Sequence, residues 1–282
     1  MNVALTAVGW LDLGASVALA GGIFYAALIA RPSEALLRWA TGLLAVALVL
    51  DFLLVAWRMH ELGGPTGLTL ATDVLLMRWG RLWIARAVGL MVLVALLPRL
   101  HVRPLLLALL AAPWLLLRSL QGHAGAHGTF PALIDWLHLL AAATWLGTLL
   151  QVALRPDPPA AEVARRTRAA VTSALVVLVP AGAYAAFLHI PSLHGLVATA
   201  YGRTLLAKLG CFGILLLLGA ENHFRQVPGL VAGEAAAGPR LLRGVRIEVL
   251  IGALVLLLSA LLGVLPMPHT MPGYVRAGEA RR

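Results

Sequence analysis

Charged residues are scarce in this sequence. They make up 12% of its 282 residues, whereas 61% are hydrophobic and the mean hydropathy is +0.90. Soluble domains carry about 25% charged residues, and this chain has too few to cover a water-exposed surface. A lipid-facing surface has the opposite requirement, because an unsatisfied polar group in the bilayer core is costly. The composition therefore indicates a membrane protein, and we predict a single transmembrane domain over residues 1–282.

Cysteine and clustered basic residues are also lacking. The chain has one cysteine, Cys211, which excludes an intrachain disulfide and a CxxC metal or redox site. The 21 arginines and one lysine produce a net charge of +10. They are scattered in short loops, which argues against nucleic-acid binding. There is no Walker A motif or soluble nucleotide-binding segment, so we expect neither ATP hydrolysis nor an enzyme.

Apolar segments long enough to cross a bilayer recur along the chain, and each crossing needs about 20 residues. The sequence therefore predicts an all-α, polytopic membrane bundle of about eight transmembrane helices. The predicted spans are roughly 8–30, 35–57, 79–98, 103–121, 131–154, 168–189, 203–224 and 246–266. The longest connection is predicted at 58–78, and the Ala-, Gly- and Pro-rich stretch 226–239 is predicted to be a loop.

The distribution of arginine predicts the orientation of these spans. Twelve arginines fall in one set of alternate loops, and seven fall in the opposite set together with the C-terminal tail. By the positive-inside rule the richer set is cytoplasmic. Both termini are therefore predicted to lie on the outer, periplasmic side, with the helices in contact with the lipid bilayer.

Histidine is concentrated on the predicted outer face. The histidines predicted there are His60, His123, His127, His189, His194 and His269, and the methionines beside them are Met59, Met267 and Met271. Only His101 and His223 are predicted to be cytoplasmic. The outer loops are poor in Lys and Glu, so a general need for polar loop residues does not explain this asymmetry.

The fifth predicted span contains the most informative group. Asp135 and His138 are three residues apart and share a helix face, and Trp145 follows two turns later on nearly the same side. His138 lies about 10 Å inside the outer face. An imidazole in a bilayer helix is costly and usually functional, and a neighbouring carboxylate can fix its tautomer. The alternative is a histidine that only makes an interhelical hydrogen bond.

The outer residues offer the donor atoms that copper prefers. Neutral imidazole binds several transition metals, whereas thioether sulfur selects Cu(I) among the common ones. His123 and His127 lie in a Gly- and Ala-rich turn whose backbone can wrap a small ligand. The predicted metal ligands are Met59, His60, His123, His127, His138, Met267, His269 and Met271. For the methionines, the alternative is that they only fill space among apolar side chains.

Three further charged residues lie in or near the last two spans and need partners, because buried charges in lipid normally pair. Lys208 is within reach of Asp135 or Asp51. We expect Glu221 and Glu248 to form ion pairs with cytoplasmic arginines, and an ion exit path at Glu248 is the alternative. The residues predicted to support the site are Asp135, Trp145, Lys208 and Glu248.

Several motifs between about residues 115 and 270 resemble the CopD family of copper resistance membrane proteins, whereas the first hundred residues match only in hydropathy. The motifs appear in the order and spacing of that family. They are Gly122-His123-Ala124, Asp135-x-x-His138, Trp145-x-Gly147, Tyr201-Gly202-Arg203 with Lys208, Glu221-Asn222-His223-Phe224-Arg225 running to Pro228, Glu248, Leu261-Leu262-Gly263 and Pro266-x-Pro268.

The resemblance implies a bacterial inner-membrane protein that moves copper from the periplasm to the cytoplasm, often beside a CopC-like periplasmic copper carrier. The resemblance implies that His123 and His138 bind copper, whereas the other ligands are predicted from their position on the outer face. The sequence shows no β-rich carrier domain, so we expect any such carrier to be a separate protein. Two rival interpretations stay open. One is a haem-b electron-transfer protein, although only His138 lies well inside a span. The other is a copper-binding assembly factor or sensor that does not transport.

Overall fold

The fold is a bundle of helices. The computed structural model describes residues 2–189 and 193–266, except for the side chains of Asn2, His123, His189 and Leu193. Within these ranges the chain contains no β-strand. In chain order the helices are α1 (Asn2–Leu28), α2 (Glu34–Glu61), α3 (Gly67–Leu76), α4 (Arg78–Leu96), α5 (Pro104–Gln121), α6 (His123–Ala126), α7 (Thr129–Ala153), α8 (Ala161–His189), α9 (Leu193–Ala198), α10 (Ala200–Glu221), α11 (Val227–Val231) and α12 (Ala237–Leu262).

Eight of the described helices are long and apolar enough to cross a membrane. They are α1, α2, α4, α5, α7, α8, α10 and α12, and the other four helices are short. The predicted all-α bundle of about eight transmembrane helices is therefore confirmed. Each predicted span lies on one of these long helices, although several helices begin earlier than the apolar segment that identified them.

Two connections are more ordered than the sequence predicted. The long connection 58–78 contains α3, and the predicted loop 226–239 contains α11 and the first turn of α12. α8 likewise begins at Ala161, seven residues before the predicted span. Hydropathy marks only the apolar part of a helix, whereas these helices continue into polar surroundings. In α8, Glu162 stabilises the added first turn by ion pairs with Arg165 at 2.5 Å and Arg166 at 2.7 Å.

Helices α1 and α7 form the centre of the bundle. α1 packs against α2, α5, α7 and α12, and α7 also packs against α5, α8 and α12. Their backbones touch at Gly21 and Gly147, where a Cβ added to Gly21 would lie 2.5 Å from the Gly147 Cα. Small residues allow this close approach between membrane helices. The outer helices expose large apolar side chains such as Trp39 and Trp57 on α2, as a lipid-facing surface requires.

A charged network joins α1, α4 and α5 inside the bundle. Arg86 Nη2 donates to Asp12 Oδ1 at 2.6 Å, and Arg118 Nε donates to Asp12 Oδ2 at 2.9 Å. Arg86 is only 2% exposed, and its Nη1 also donates to Gln121 Oε1 at 3.0 Å. Asp51 from α2 interacts electrostatically with the same three charged residues. Two guanidinium groups thus bind the buried Asp12 carboxylate directly in this part of the bundle.

Candidate functional site

His138 is held on α7 by a contact with α8. Its Nδ1 lies 3.1 Å from the Leu178 carbonyl oxygen. A carbonyl oxygen can only accept a hydrogen bond, so Nδ1 carries the proton and Nε2 carries the lone pair. This is the tautomer that a ligand binding metal through Nε2 requires. The sequence assigned the orienting role to Asp135, but in the structure the Leu178 carbonyl group performs it.

The local sequence of α8 explains why the ring fits there. Gly182 faces the imidazole, and a Cβ added at this position would lie 3.1 Å from the His138 Cε1. Pro180 lies within α8, and its missing N–H removes one backbone hydrogen bond from this turn of the helix. The absence of a side chain at Gly182 therefore leaves room for the imidazole where it docks on α8. Neither Gly182 nor Pro180 was selected from the sequence, although a Pro-x-Gly sequence within a span is a detectable signal.

Two opposite charges flank His138. Lys208 on α10 interacts electrostatically with Asp135 on α7, and both interact with the His138 ring. The predicted approach of Lys208 to Asp135 is therefore present, whereas Asp51 belongs to the Asp12 network. In the described part of the chain Lys208 makes no direct ion pair. The charges around the imidazole are thus held near one another without neutralising contact.

An aromatic pair lies deeper along the same two helices. Trp145 on α7 packs edge-on against Phe212 on α10, with ring centroids 5.8 Å apart and an interplanar angle of 87°. α7 and α10 run in the same direction, because α8 crosses back between them. Trp145 follows His138 by two turns, and Phe212 follows Lys208 by one turn. The pair therefore lies on the predicted cytoplasmic side of the His138 level.

A cavity of about 300 Å³ begins at the Trp145 side of this pair. It lies between α7, α8, α10 and α12, and most of its walls are apolar. The polar or charged residues that line it are Thr167, Arg168, Thr172, Asn222, His223 and Glu248. By the predicted topology, this cavity occupies the cytoplasmic half of the bundle.

Glu248 enters the cavity without the arginine partner that the sequence predicted. The Asn222 side-chain amide donates to Glu248 Oε1, and Glu248 is only 2% exposed. Arg246 points away and donates to the Ala153 carbonyl oxygen at 3.1 Å. The predicted ion pair at Glu248 is therefore wrong, because a neighbouring helix turn supplies an amide at that depth.

Glu221 does form the predicted type of ion pair, with Arg225 at 3.2 Å. The segment that follows α10, Asn222–Gln226, is a π-helical turn, a feature often found at functional sites. This turn brings Asn222 to Glu248 and places His223 Nδ1 3.4 Å from Thr172 Oγ1 on α8. The sequence marked Glu221-Asn222-His223 as a motif but did not assign Asn222 a role.

The glycine-rich outer turn is supported by Arg78. Its Nη2 donates to the carbonyl oxygens of Leu120 at 3.3 Å and Gly125 at 3.2 Å. Gly128 has a φ of +115°, which favours glycine, and it allows the chain to turn into α7. His127 is exposed beside this glycine. The backbone of His123 begins α6, while its side chain lies outside the described atoms.

Two of the remaining predicted ligands, Met59 and His60, lie on a different helix from this turn. His60 is exposed and lines a shallow hollow with Trp57 and Thr66, and Met59 is half-buried. The helix α2 that carries them packs against α1, α3 and α4, whereas α6 packs against α5 and α7. The three predicted ligands in the tail lie outside the described residues; they are Met267, His269 and Met271.

No group of three or more His, Cys, Asp or Glu side chains that could hold a metal occurs among the described residues. Of the predicted site residues, Asp135 and Lys208 interact electrostatically with His138. Trp145 and Glu248 line the same cavity. Metal binding by the predicted ligands stays a prediction.

Comparison with known proteins supports the resemblance. Residues 161–262 match the family model of Copper resistance protein D, CopD. The chain is 34% identical over 164 residues to the "Copper transport protein CutJ" of Bacillus subtilis, which covers 55% of this chain and 29% of that protein. It is also 34% identical over 148 residues to the "Copper resistance protein D" of Pseudomonas syringae, which covers 46% of this chain and 47% of that protein.

These matches support the resemblance to the CopD family over part of the chain. The chain spans less than half the length of either curated relative. The family match includes Lys208, Asn222 and Glu248, whereas His123 and His138 precede it. No solved structure matches the chain significantly.

Proposed function

We propose that this chain, whose segment 161–262 matches the CopD family model, takes copper from the periplasm toward the cytoplasm across the bacterial inner membrane. The observation that carries the proposal is the geometry of His138. Its Nδ1 donates to the Leu178 carbonyl oxygen, so Nε2 is the nitrogen with a lone pair for a metal. Imidazole suits several transition metals, and the copper-related names of both relatives favour copper.

The charges around His138 suit an ion that binds and then leaves. A carboxylate attracts a cation and an ammonium group repels it, and a transport site must bind weakly enough to release its ion. Asp135 and Lys208 would act in these opposite ways. The ion would then pass the Trp145–Phe212 pair and enter the cavity at the cytoplasmic end.

The outer histidines and methionines would capture copper before it reaches His138. The residues proposed for this step are Met59, His60, His123, His127, Met267, His269 and Met271. A CopC-like periplasmic carrier would deliver the ion to them. Across a membrane that is negative inside, inward movement of a cation is favoured by about 2.3 kcal/mol per charge per 100 mV of membrane potential. This route needs no ATP hydrolysis.

Copper uptake into liposomes that contain the purified protein tests the proposal. We expect uptake above empty vesicles for the wild type and its loss in His138→Ala. His101→Ala is the matched control, because His101 is exposed at the predicted cytoplasmic side and pairs with Glu34 at 3.0 Å. Equal uptake by the wild type and His138→Ala would remove His138 from the path.

The two rival functions give different results in the same preparation. Copper bound in the stoichiometry of a site, without uptake, would identify an assembly factor or sensor. A haem absorption band in the visible spectrum of the purified protein would identify the haem-b alternative. Metal analysis of His123→Ala beside His138→Ala then shows which of the two histidines holds copper.

A further inference from the structure

Glu248 is a buried carboxylate that the proposed copper ligands do not use. It projects from α12 and is only 2% exposed. Oε1 accepts from the Asn222 amide, while Oε2 lies on the side of Gly219, 3.8 Å from the position of a Cβ added there. Glu248 also lines the 300 Å³ cavity. One oxygen is therefore held in place, and the side chain borders open space.

Among the described residues, no cation forms an ion pair with Glu248. From α8, Arg168 points to the backbone, and its Nη1 donates to the His223 carbonyl oxygen at 3.4 Å. On α12 itself, Arg246 donates to the carbonyl oxygens of Ala153, at the end of α7, and Arg155. From α1, Tyr25 packs into the same apolar cluster as Val245. The imidazole of His223 is the other titratable group on the cavity wall.

A carboxylate in such a wall is stable as a neutral acid. An isolated ionised carboxylate in an apolar environment is far more costly than a neutral one, and one amide donor offsets only part of that cost. Ionisable groups inside membrane proteins commonly serve as proton relays. Water in the cavity, with Thr172 and His223 on its wall, would connect Glu248 to the cytoplasm.

We propose that Glu248 is a proton-binding site, protonated while the cavity holds no cation, which releases its proton to the cytoplasm when a cation enters. The proton moves from the carboxyl oxygen to cavity water, and the negative charge left on Glu248 balances the entering ion through space. The identity of that ion as copper rests on the function proposed above. The proton site itself rests on the buried carboxylate, its amide partner and the cavity.

Infrared difference spectroscopy of the purified protein tests the site without transport. Near neutral pH we expect a carboxylic acid C=O band in the wild type that is absent in Glu248→Gln. Glu234→Gln is the matched control, since Glu234 lies exposed in the loop before α12, and it should keep the band. Gln preserves the shape and a hydrogen bond to Asn222, and an unchanged melting temperature shows that the variant folds. A band equal in wild type and Glu248→Gln would overturn the proposal.

Copper uptake by liposomes of different internal pH tests the coupling. Wild-type uptake should change several-fold with the pH on the cytoplasmic side, whereas Glu248→Gln should be insensitive to it. If the wild type takes up no copper but shows the band, the proposed transport fails while the proton site stands. If wild type and Glu248→Gln respond equally to internal pH, Glu248 does not couple proton and cation movement.

Discussion

Buried ionisable groups occur in two regions of this bundle, and the partners of these groups differ between the two regions. In the first region, Asp12 is bonded directly by Arg86 and Arg118, so the charges are matched by contact. In the second region, Lys208 and Asp135 interact only through space around His138, and Glu248 has an amide rather than a cation as its partner. Direct pairs lock helices together. Charges beside a histidine or a cavity keep the capacity to respond to an ion.

This difference agrees with the extent of the CopD match. The matched segment 161–262 includes Lys208 and Glu248, whereas the network of Asp12 and its arginines lies entirely before it. We therefore interpret the first region as a structural clamp, in which Asp12, Arg86 and Arg118 hold α1, α4 and α5 together. The second region contains the proposed ion path, and substitutions should separate the two.

The largest effect should come from breaking the clamp. Arg86→Ala leaves Asp12 with Arg118 alone inside the bundle, and loss of one member of a buried pair costs about 3–5 kcal/mol of the free energy of unfolding. Thermal unfolding in detergent measures the loss. Arg165→Ala, which removes an exposed ion pair with Glu162, is the control. A loss as small as the control's would show that the network does not clamp the helices.

A smaller loss is expected at the seam between α1 and α7. Gly21→Ala would drive a methyl group into the Gly147 backbone, and overpacking of this kind costs about 1–3 kcal/mol. Gly14→Ala on the same helix is the control, because a Cβ there meets nothing within 4 Å. The melting temperatures of the two variants in one detergent compare them directly. Equal stability would mean that the helices can separate at this crossing without cost.

Removing Lys208 should change function more than stability. Lys208→Met eliminates the positive charge that faces His138, so copper should bind more tightly by up to about tenfold, which corresponds to about 1.4 kcal/mol. Asp135→Asn should weaken binding by a comparable factor. Equilibrium dialysis with copper measures both. An affinity that moves in the same direction for both variants would contradict the opposing roles of the two charges.

The smallest effect is expected at the predicted cytoplasmic surface. Glu162→Gln removes the exposed ion pairs with Arg165 and Arg166, and such pairs contribute little to stability because solvent screens them. The melting temperature should barely change, and added salt should reduce the difference further. A loss as large as that of Arg86→Ala would remove the distinction between surface and buried pairs.

Prediction of the spans succeeded because each depends on local composition. A run of about 20 apolar residues is recognisable without knowing its neighbours. Helix ends were less predictable, since α8 and α12 continue through arginine- and alanine-containing segments that hydropathy does not detect. His138 could likewise be selected as a candidate from the sequence, because a histidine within an apolar helix is unusual and needs a partner.

The partners of the buried groups were not predictable in the same way. Glu248 was expected to meet an arginine but is bonded by Asn222, and His138 is oriented by the Leu178 backbone rather than by Asp135. Nothing in the residue types selects these partners. A carboxylate accepts from an amide as readily as from a guanidinium group, and the choice depends on which side chain the packing brings within reach.

The sequence by itself determined that the chain is an all-α membrane bundle with about eight crossings and a histidine inside one of them. Only the tertiary structure decided which buried charges are neutralised by contact and which border a cavity. The physical reason is that lipid partition depends on local sequence, whereas ion pairing depends on residues far apart in the chain. Partition of a helix into lipid depends on its own residues, whereas Asp12 and Arg118 meet across 106 sequence positions because of how α1 and α5 pack.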